Sequence, residues 1–276
     1  MNAKKIVAVS GIISLLIGIA PIVASSKGQP AWRLPTNAVK IDDDTYYLGT
    51  KYDLQSGKTV EGYAFLKHRD DAVRGGNSGK PSGKSACYSY LAKGAMWKVA
   101  PEPWEMNPAN TRGLNEAALV SREAADIAIW EDATDGIVGN GIGVDVLGNG
   151  TQTSLDYSVY AGTLNGKNEV YFADISGNSV IAVTTVWGTF GGPLVNRELV
   201  EWDMVFDDVD FNWSLTGAAD AMDFDNIATH ELGHAFGLGH PRNTCTQETM
   251  YAFASNGETL KRDLYTGDIT GINLLY

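Results

Sequence analysis

Three of the chain's four histidines fall in one stretch, THELGHAFGLGH, from Thr229 to His240, and a glutamate follows the first of them directly. On a helix, positions i and i+4 share a face, so His230 and His234 aim their imidazoles at one point. Glu231 sits one residue round, within reach of something bound at that point without ligating it. Gly237 and Gly239 interrupt the helix. Glycine allows backbone turns closed to most residues, so His240 swings toward the same centre. Zinc accepts imidazoles readily, and three of them leave its fourth position open for water. Such a metal lowers the pKa of its water from about 15.7 toward 7, and Glu231 then serves as the base that takes the water's proton. A bare histidine pair is more often a satisfied core or surface pair. The full HExxHxxGxxH spacing arises by chance on the order of once in 10⁵, so one zinc site is the expectation.

Elements must hold these residues in place. DFDNIATHELGHAFGLGH (223–240) begins as a helix with Asp223 or Asp225 as its cap, and DITGINLLY (268–276) reads as a closing helix. GLNEAALVSREAADIAIWEDA (113–133) is helical, with Leu119, Ala124, Ile127 and Trp130 placed on its apolar face. NEVYFADI (168–175), SVIAVTTVWG (179–188) and RELVEWDMVFDD (197–208) read as strands, as do DDTYYLGTKYDL (43–54), KTVEGYAFLKH (58–68) and the start of AMWKVAPEPWEMNP (95–108). The Gly-rich stretch 136–150 lacks the Lys-Ser/Thr ending of a phosphate cradle and reads as loop. RDDAVRGGNSGKPSGKSA (69–86) reads as a flexible linker, with a boundary near Lys84.

The 276 residues suit one sizeable domain with an extension. Residues 1–26 have the layout of a secretory signal peptide: Lys4 and Lys5, an apolar run from Ile6 to Ala24, then small residues. Cleavage is favoured over retention as a membrane anchor, although the run nearly reaches spanning length. Secretion, with no stable membrane span in the mature chain, is therefore expected. The formal charge of −12 becomes −14 once the two signal lysines are lost, and so acidic a surface repels nucleic acid. Outside the cytoplasm the two cysteines, Cys87 and Cys245, are expected to pair. The competing reading has Cys87 as a free thiolate capping the zinc, but SACYSYL offers no flanking Arg or Gly-x-Pro-Asp to hold it there.

HELGHAFGLGH resembles the zinc-binding element of the metzincin metalloproteases. Met250, in ETMYAFAS, matches the clan's methionine in the tight turn beneath the zinc. Within the clan the chain is most similar to the matrixins, by Met250-Tyr251, by the closing Asp268–Tyr276 and by DMVFDD (203–208). The resemblance is densest over 223–276, weaker over 95–210 and absent before about residue 85. It implies an α+β, zincin-like catalytic domain (85–276) with a twisted mixed five-stranded sheet, an active-site helix and a C-terminal helix. Residues 27–84 would then be a small β-rich extension or pro-segment plus linker. It also implies that 179–188 lines the cleft as an edge strand, with Tyr251, Ala252 and Phe253 as the wall of the substrate pocket. Asp207 matches a family calcium position, and reads equally as a turn-capping aspartate. Val205 stands where the family has a histidine for a second zinc, so one zinc is expected.

The reading is a secreted zinc endopeptidase, a monomer, acting on extended polypeptides. The alternative from another class is a catalytically silent, zinc-containing binding or adhesion protein; a hydrolase of some other substrate is a third. Glu231 discriminates, since a silent protein has little use for a base beside the metal.

Overall fold

The computed structural model describes residues 31–70, 86–156 and 162–276. The signal-peptide segment and nearly all of the 69–86 linker lie outside them. The frame is a mixed sheet with three helices, α1 (Glu116–Asp132), α2 (Phe224–Ala235) and α3 (Thr266–Asn273). The longer strands are β1 (Thr45–Asp53), β2 (Lys58–Arg69), β3 (Trp104–Asn107), β4 (Gly150–Gln152), β5 (Asn168–Ile175), β6 (Val180–Thr189) and β7 (Glu198–Asp207). They lie in the order β1-β2-β6-β7-β5-β3-β4. From β7 to β4 all neighbours are parallel, and β6 runs antiparallel to β7. That set of five strands matches the α+β expectation.

The sheet does not stop there. β2 pairs antiparallel with β6 along nearly its whole length, from Glu61↔Gly188 to His68↔Val180, and β1 pairs with β2. The expected extension is therefore hydrogen-bonded into the catalytic sheet. The physical reason is visible in the alternation of β2: Val60, Ala64 and Leu66 join Val183, Trp187 and Val205 in a second core on the outer face of the sheet. Gly62 lies flat against Trp187, whose ring would be 2.6 Å from a Cβ there. Trp32 and Leu48 complete this cluster. Val205, where a histidine would hold a second metal, is instead packed in this apolar layer.

The main core lies on the inner face, between the sheet and the helices. α1 buries Leu119, Ile127 and Trp130 as expected, but Ala124 is exposed, while the acids Glu123 and Asp126 face inward. Size explains the swap in part: the large side chains of 119, 127 and 130 fix the helix's rotation, and Glu123 and Asp126 fall on the same stripe. α2 starts where Asp223 accepts the amide of Asn226, as an N-cap does. Its last carbonyls are also satisfied, that of Ala235 by Trp97 Nε1 at 2.9 Å and that of Phe236 by the Tyr276 hydroxyl at 2.9 Å.

Candidate metal centre and its surroundings

Every residue of α2 is buried, so the histidines it carries work inside the protein rather than on its surface. After Ala235 the chain passes Phe236 and turns at Gly237, whose φ of +103° is closed to most side chains. This turn brings His240 back over the helix. The Nε2 atom of His240 is 3.2 Å from that of His230 and 3.0 Å from that of His234. Three nitrogens around a tetrahedral zinc at the usual 2.0–2.1 Å would stand about 3.3 Å apart, so the site fits the ion. Among the described residues it is the one group of three or more metal-binding side chains that converges.

The other ring nitrogens of His230 and His234 face backbone carbonyls. Nδ1 of His230 is 2.6 Å from the Thr249 carbonyl and Nδ1 of His234 is 2.8 Å from that of Leu238. Carbonyls only accept, so Nδ1 of His234 holds the proton and its Nε2 keeps a lone pair for a metal, while Nδ1 of His230 faces both the Thr249 carbonyl and, 3.0 Å away, Nζ of Lys67. Burial, reinforced by the neighbouring cationic groups, lowers the pKa of both imidazoles well below the usual range and keeps them neutral. His240 has a different partner. Its Nδ1 lies 3.0 Å from Oδ1 of Asp44, off the direction of a well-aligned N–H bond, so the contact is electrostatic first.

Glu231 is fully buried beside the triad, with Oε2 accepting the Thr184 hydroxyl of β6 at 2.6 Å and Oε1 unpartnered. Burial pushes its pKa up to about 8, against the opposing pull of Thr184 and Lys67. A carboxyl in that range is suited to exchange protons near neutral pH.

Met250 packs directly under the helix. Its sulfur would be 2.1 Å from a Cβ on Gly233, so glycine at that position is a packing requirement. The turn carrying it is clamped by the start of α3: Asp268 accepts the amides of Thr249 at 2.7 Å, Met250 at 3.2 Å and Tyr265 at 3.0 Å. Glu248 accepts the amides of Gly267 and Asp268 in return. Cys87 and Cys245 form a disulfide, which ties the segment between β2 and β3 to the loop after His240. Asp207 sits as a turn cap, its carboxylate taken by the amides of Ile175, Val209 and Asp210.

Tyr251 and Phe253 line a cavity of about 390 Å³ that opens toward Glu258 and Lys261, while Ala252 does not line it. One expectation fails here. β6 is no free edge, because β2 occupies it, and β2 also pairs in parallel with Phe253–Ala254. Sequence reading missed four residues that touch the site: Asp44, Phe65, Lys67 and Thr184. Lys67 carried a faint signal, as the cation directly after the apolar run YAFL.

Residues 172–276 match the family model described as Matrixin. Over 76 residues the chain is 37% identical to Metalloendoproteinase 2-MMP of Arabidopsis thaliana, a stretch taking in 25% of this chain and 19% of that relative.

Proposed function

From the matrixin-like metzincin carried by residues 172–276, we propose that this protein is a secreted, zinc-dependent endopeptidase acting on extended polypeptides. One observation carries the reading: three Nε2 atoms spaced for zinc, with the buried Glu231 carboxyl beside them. His230, His234 and His240 would hold the ion, which supplies Lewis acidity to a water and to a substrate carbonyl. Glu231 takes the attacking water's proton and hands it to the leaving amine, and the Thr184 hydroxyl orients that carboxylate. The Leu238 carbonyl holds His234 in the ligating tautomer, the Thr249 carbonyl orients the His230 ring, and Met250 packs beneath the helix at Gly233. The disulfide supports export to an oxidising compartment.

The alternative of a silent zinc-holding protein draws support from the occupied β6 edge. Glu231 weighs against it, because its unpartnered carboxyl oxygen stands beside the triad, where a base is of use only to chemistry. The test is digestion of a denatured protein with and without chelator, using the chain both intact and cut within residues 71–85, beside Glu231→Gln. We expect one zinc per chain in both proteins, and chelator-sensitive cleavage that falls about 10²–10⁴-fold in the variant. Zinc binding without cleavage in either form would favour the silent reading.

A further inference from the structure

Between α1 and β4 the chain forms a loop that shows water an unusual set of side chains. Residues 137–144 read IVGNGIGV, and Ile137, Val138, Ile142 and Val144 are all exposed. Ile137 is 59% and Ile142 65% exposed, whereas Val146 and Leu147 a few residues on are fully buried. The core takes its apolar side chains from 146 and 147 and leaves these four in water. Leu274, also exposed, follows Asn273, whose side chain abuts Gly136 at the start of the loop. Aliphatic surface gathered in this way on a soluble protein marks a place of contact.

The loop is built to hold that surface still. The Asp132 carboxylate at the end of α1 accepts the amides of Gly139 and, at 2.6 Å, Gly141. Asp135 accepts the amide of Ile137, Asn140 that of Ile142 and the Thr134 hydroxyl that of Val144, each at 2.8 Å. Glu131 accepts the amides of Val146 and Leu147 where the loop leaves the helix. A Cβ on Gly143 would lie 2.0 Å from the Glu131 carbonyl oxygen, so the chain is pressed against the helix end. The four aliphatic side chains are β-branched and stiff at χ1, and a surface fixed beforehand loses little freedom on binding.

Charge decides what can cover the patch. Asp132, Asp135 and Asp145 stand in or beside it, and no lysine or arginine occurs between Arg122 and Lys167. The sequence of α3 has none either. A second copy of the chain would set this acidic rim against itself, and like charges oppose docking. Loops and helices that enter a lipid surface carry basic residues at headgroup level, and this stretch has none.

We propose that residues 137–144 are a docking surface for a polypeptide segment whose aliphatic side chains are flanked by lysine or arginine. Apolar contact supplies the affinity, and the acidic rim steers and selects. None of the residues that anchor the loop belongs to the metal centre, so binding here needs neither zinc nor cleavage.

The experiment uses the full chain as Glu231→Gln, so that a peptide probe survives, and follows fluorescence anisotropy of a labelled peptide of alternating leucine and lysine. Ile137→Ser with Ile142→Ser is one variant and Val138→Asn with Val144→Asn another, so a failure of one pair to fold leaves the other to decide. We expect the peptide to bind, and each folded pair to weaken it at least ~10-fold, as loss of a central apolar anchor does. Alternating serine and lysine should bind at least ~10-fold more weakly, and alternating leucine and glutamate likewise. Unchanged affinity in the folded variants, or equal binding of the serine–lysine peptide, would overturn the proposal. A dimer in sedimentation that the same substitutions dissolve would overturn it in favour of a second copy. Flotation with phosphatidylcholine vesicles that the substitutions abolish would overturn it in favour of a lipid surface.

Discussion

Residues 223–276 and residues 31–70 converge on the same three imidazoles by opposite routes. The first region builds the centre locally: an i, i+4 pair on α2, a glycine turn to His240, a Met-turn clamped by Asp268. The second reaches it across the chain, through Asp44 on His240, Phe65 on His234 and Lys67 on His230. The local region supplies the atoms that chemistry needs. The distant one supplies side chains that pack on all three imidazoles.

The sharpest way to separate the two regions is to remove a ligand from the first. His234→Ala should abolish tight zinc binding, since two remaining imidazoles make a far weaker site, and activity should fall by at least ~10³-fold. Metal content after dialysis and peptidase rate check it. A variant that keeps one equivalent of zinc would show that the second region, not the triad, holds the metal.

The two regions also differ in how far they could be read from the residues alone. The triad, Glu231 and Met250 are legible because their geometry is set by helical repeat and one glycine turn, all within about two dozen residues. The Asp223 cap and the closing helix are legible for the same reason. β1 and β2 were legible as strands, but not as partners of β6: pairing between residues some 120 apart leaves no periodic trace. Thr184 looked like any β-branched strand residue. Lys67 looked like a polar strand end, and its burial follows from the wall at Tyr251, which the residues near it do not announce. On α1 the apolar stripe was read correctly at Leu119, Ile127 and Trp130, whereas the buried acids on the same stripe contradict the usual preference.

Next in size is the disulfide, which fastens the Met-turn side of the first region. Cys87→Ser with Cys245→Ser opens a loop of 158 residues, for which the chain-entropy model sets a ceiling of ~5 kcal/mol. We expect a loss of about 2–5 kcal/mol, read from the denaturant midpoint. The backbone of Cys87 also packs against Gly267 at the start of α3, so zinc retention should fall with stability. Unchanged zinc retention would place the clamp entirely in Asp268 and Glu248.

A pH effect tests the inner core, away from both regions' contacts with the triad. Both Glu123 carboxyl oxygens are buried without a partner, and burial, then the charges of Asp225 and Glu231, push its pKa up to about 8 from 4.5. Below pH 4.5 the folded and unfolded chains both keep the proton and the group costs nothing extra. Between about pH 4.5 and 8 the unfolded chain ionises while the folded chain does not, so stability is lost as pH rises. Glu123→Gln should remove this term, gaining ~2–4 kcal/mol over the native chain at pH 8 relative to pH 4.5. Denaturant midpoints at the two pH values decide it. Asp126 and Asp203, also raised by burial, leave a residual slope of the same sign.

The smallest effect bears most directly on the comparison, because it lies where the two regions touch. Asp44 belongs to the turn before β1, yet its carboxylate stands 3.0 Å from Nδ1 of a metal-spaced imidazole. Burial works to raise the Asp44 pKa, and the contact with His240 outweighs it and lowers it below the ordinary carboxylate range. A carboxylate behind a ligating histidine orients the ring and raises its basicity, and losing such a partner typically costs 10–100-fold in metal affinity. Here the contact is off the N–H axis, so the low end applies. Asp44→Ala in the intact chain should weaken zinc binding about tenfold, as measured by competition with a chromophoric chelator. No loss from Asp44→Ala would mean that the N-terminal region packs on the metal centre without helping to hold the metal.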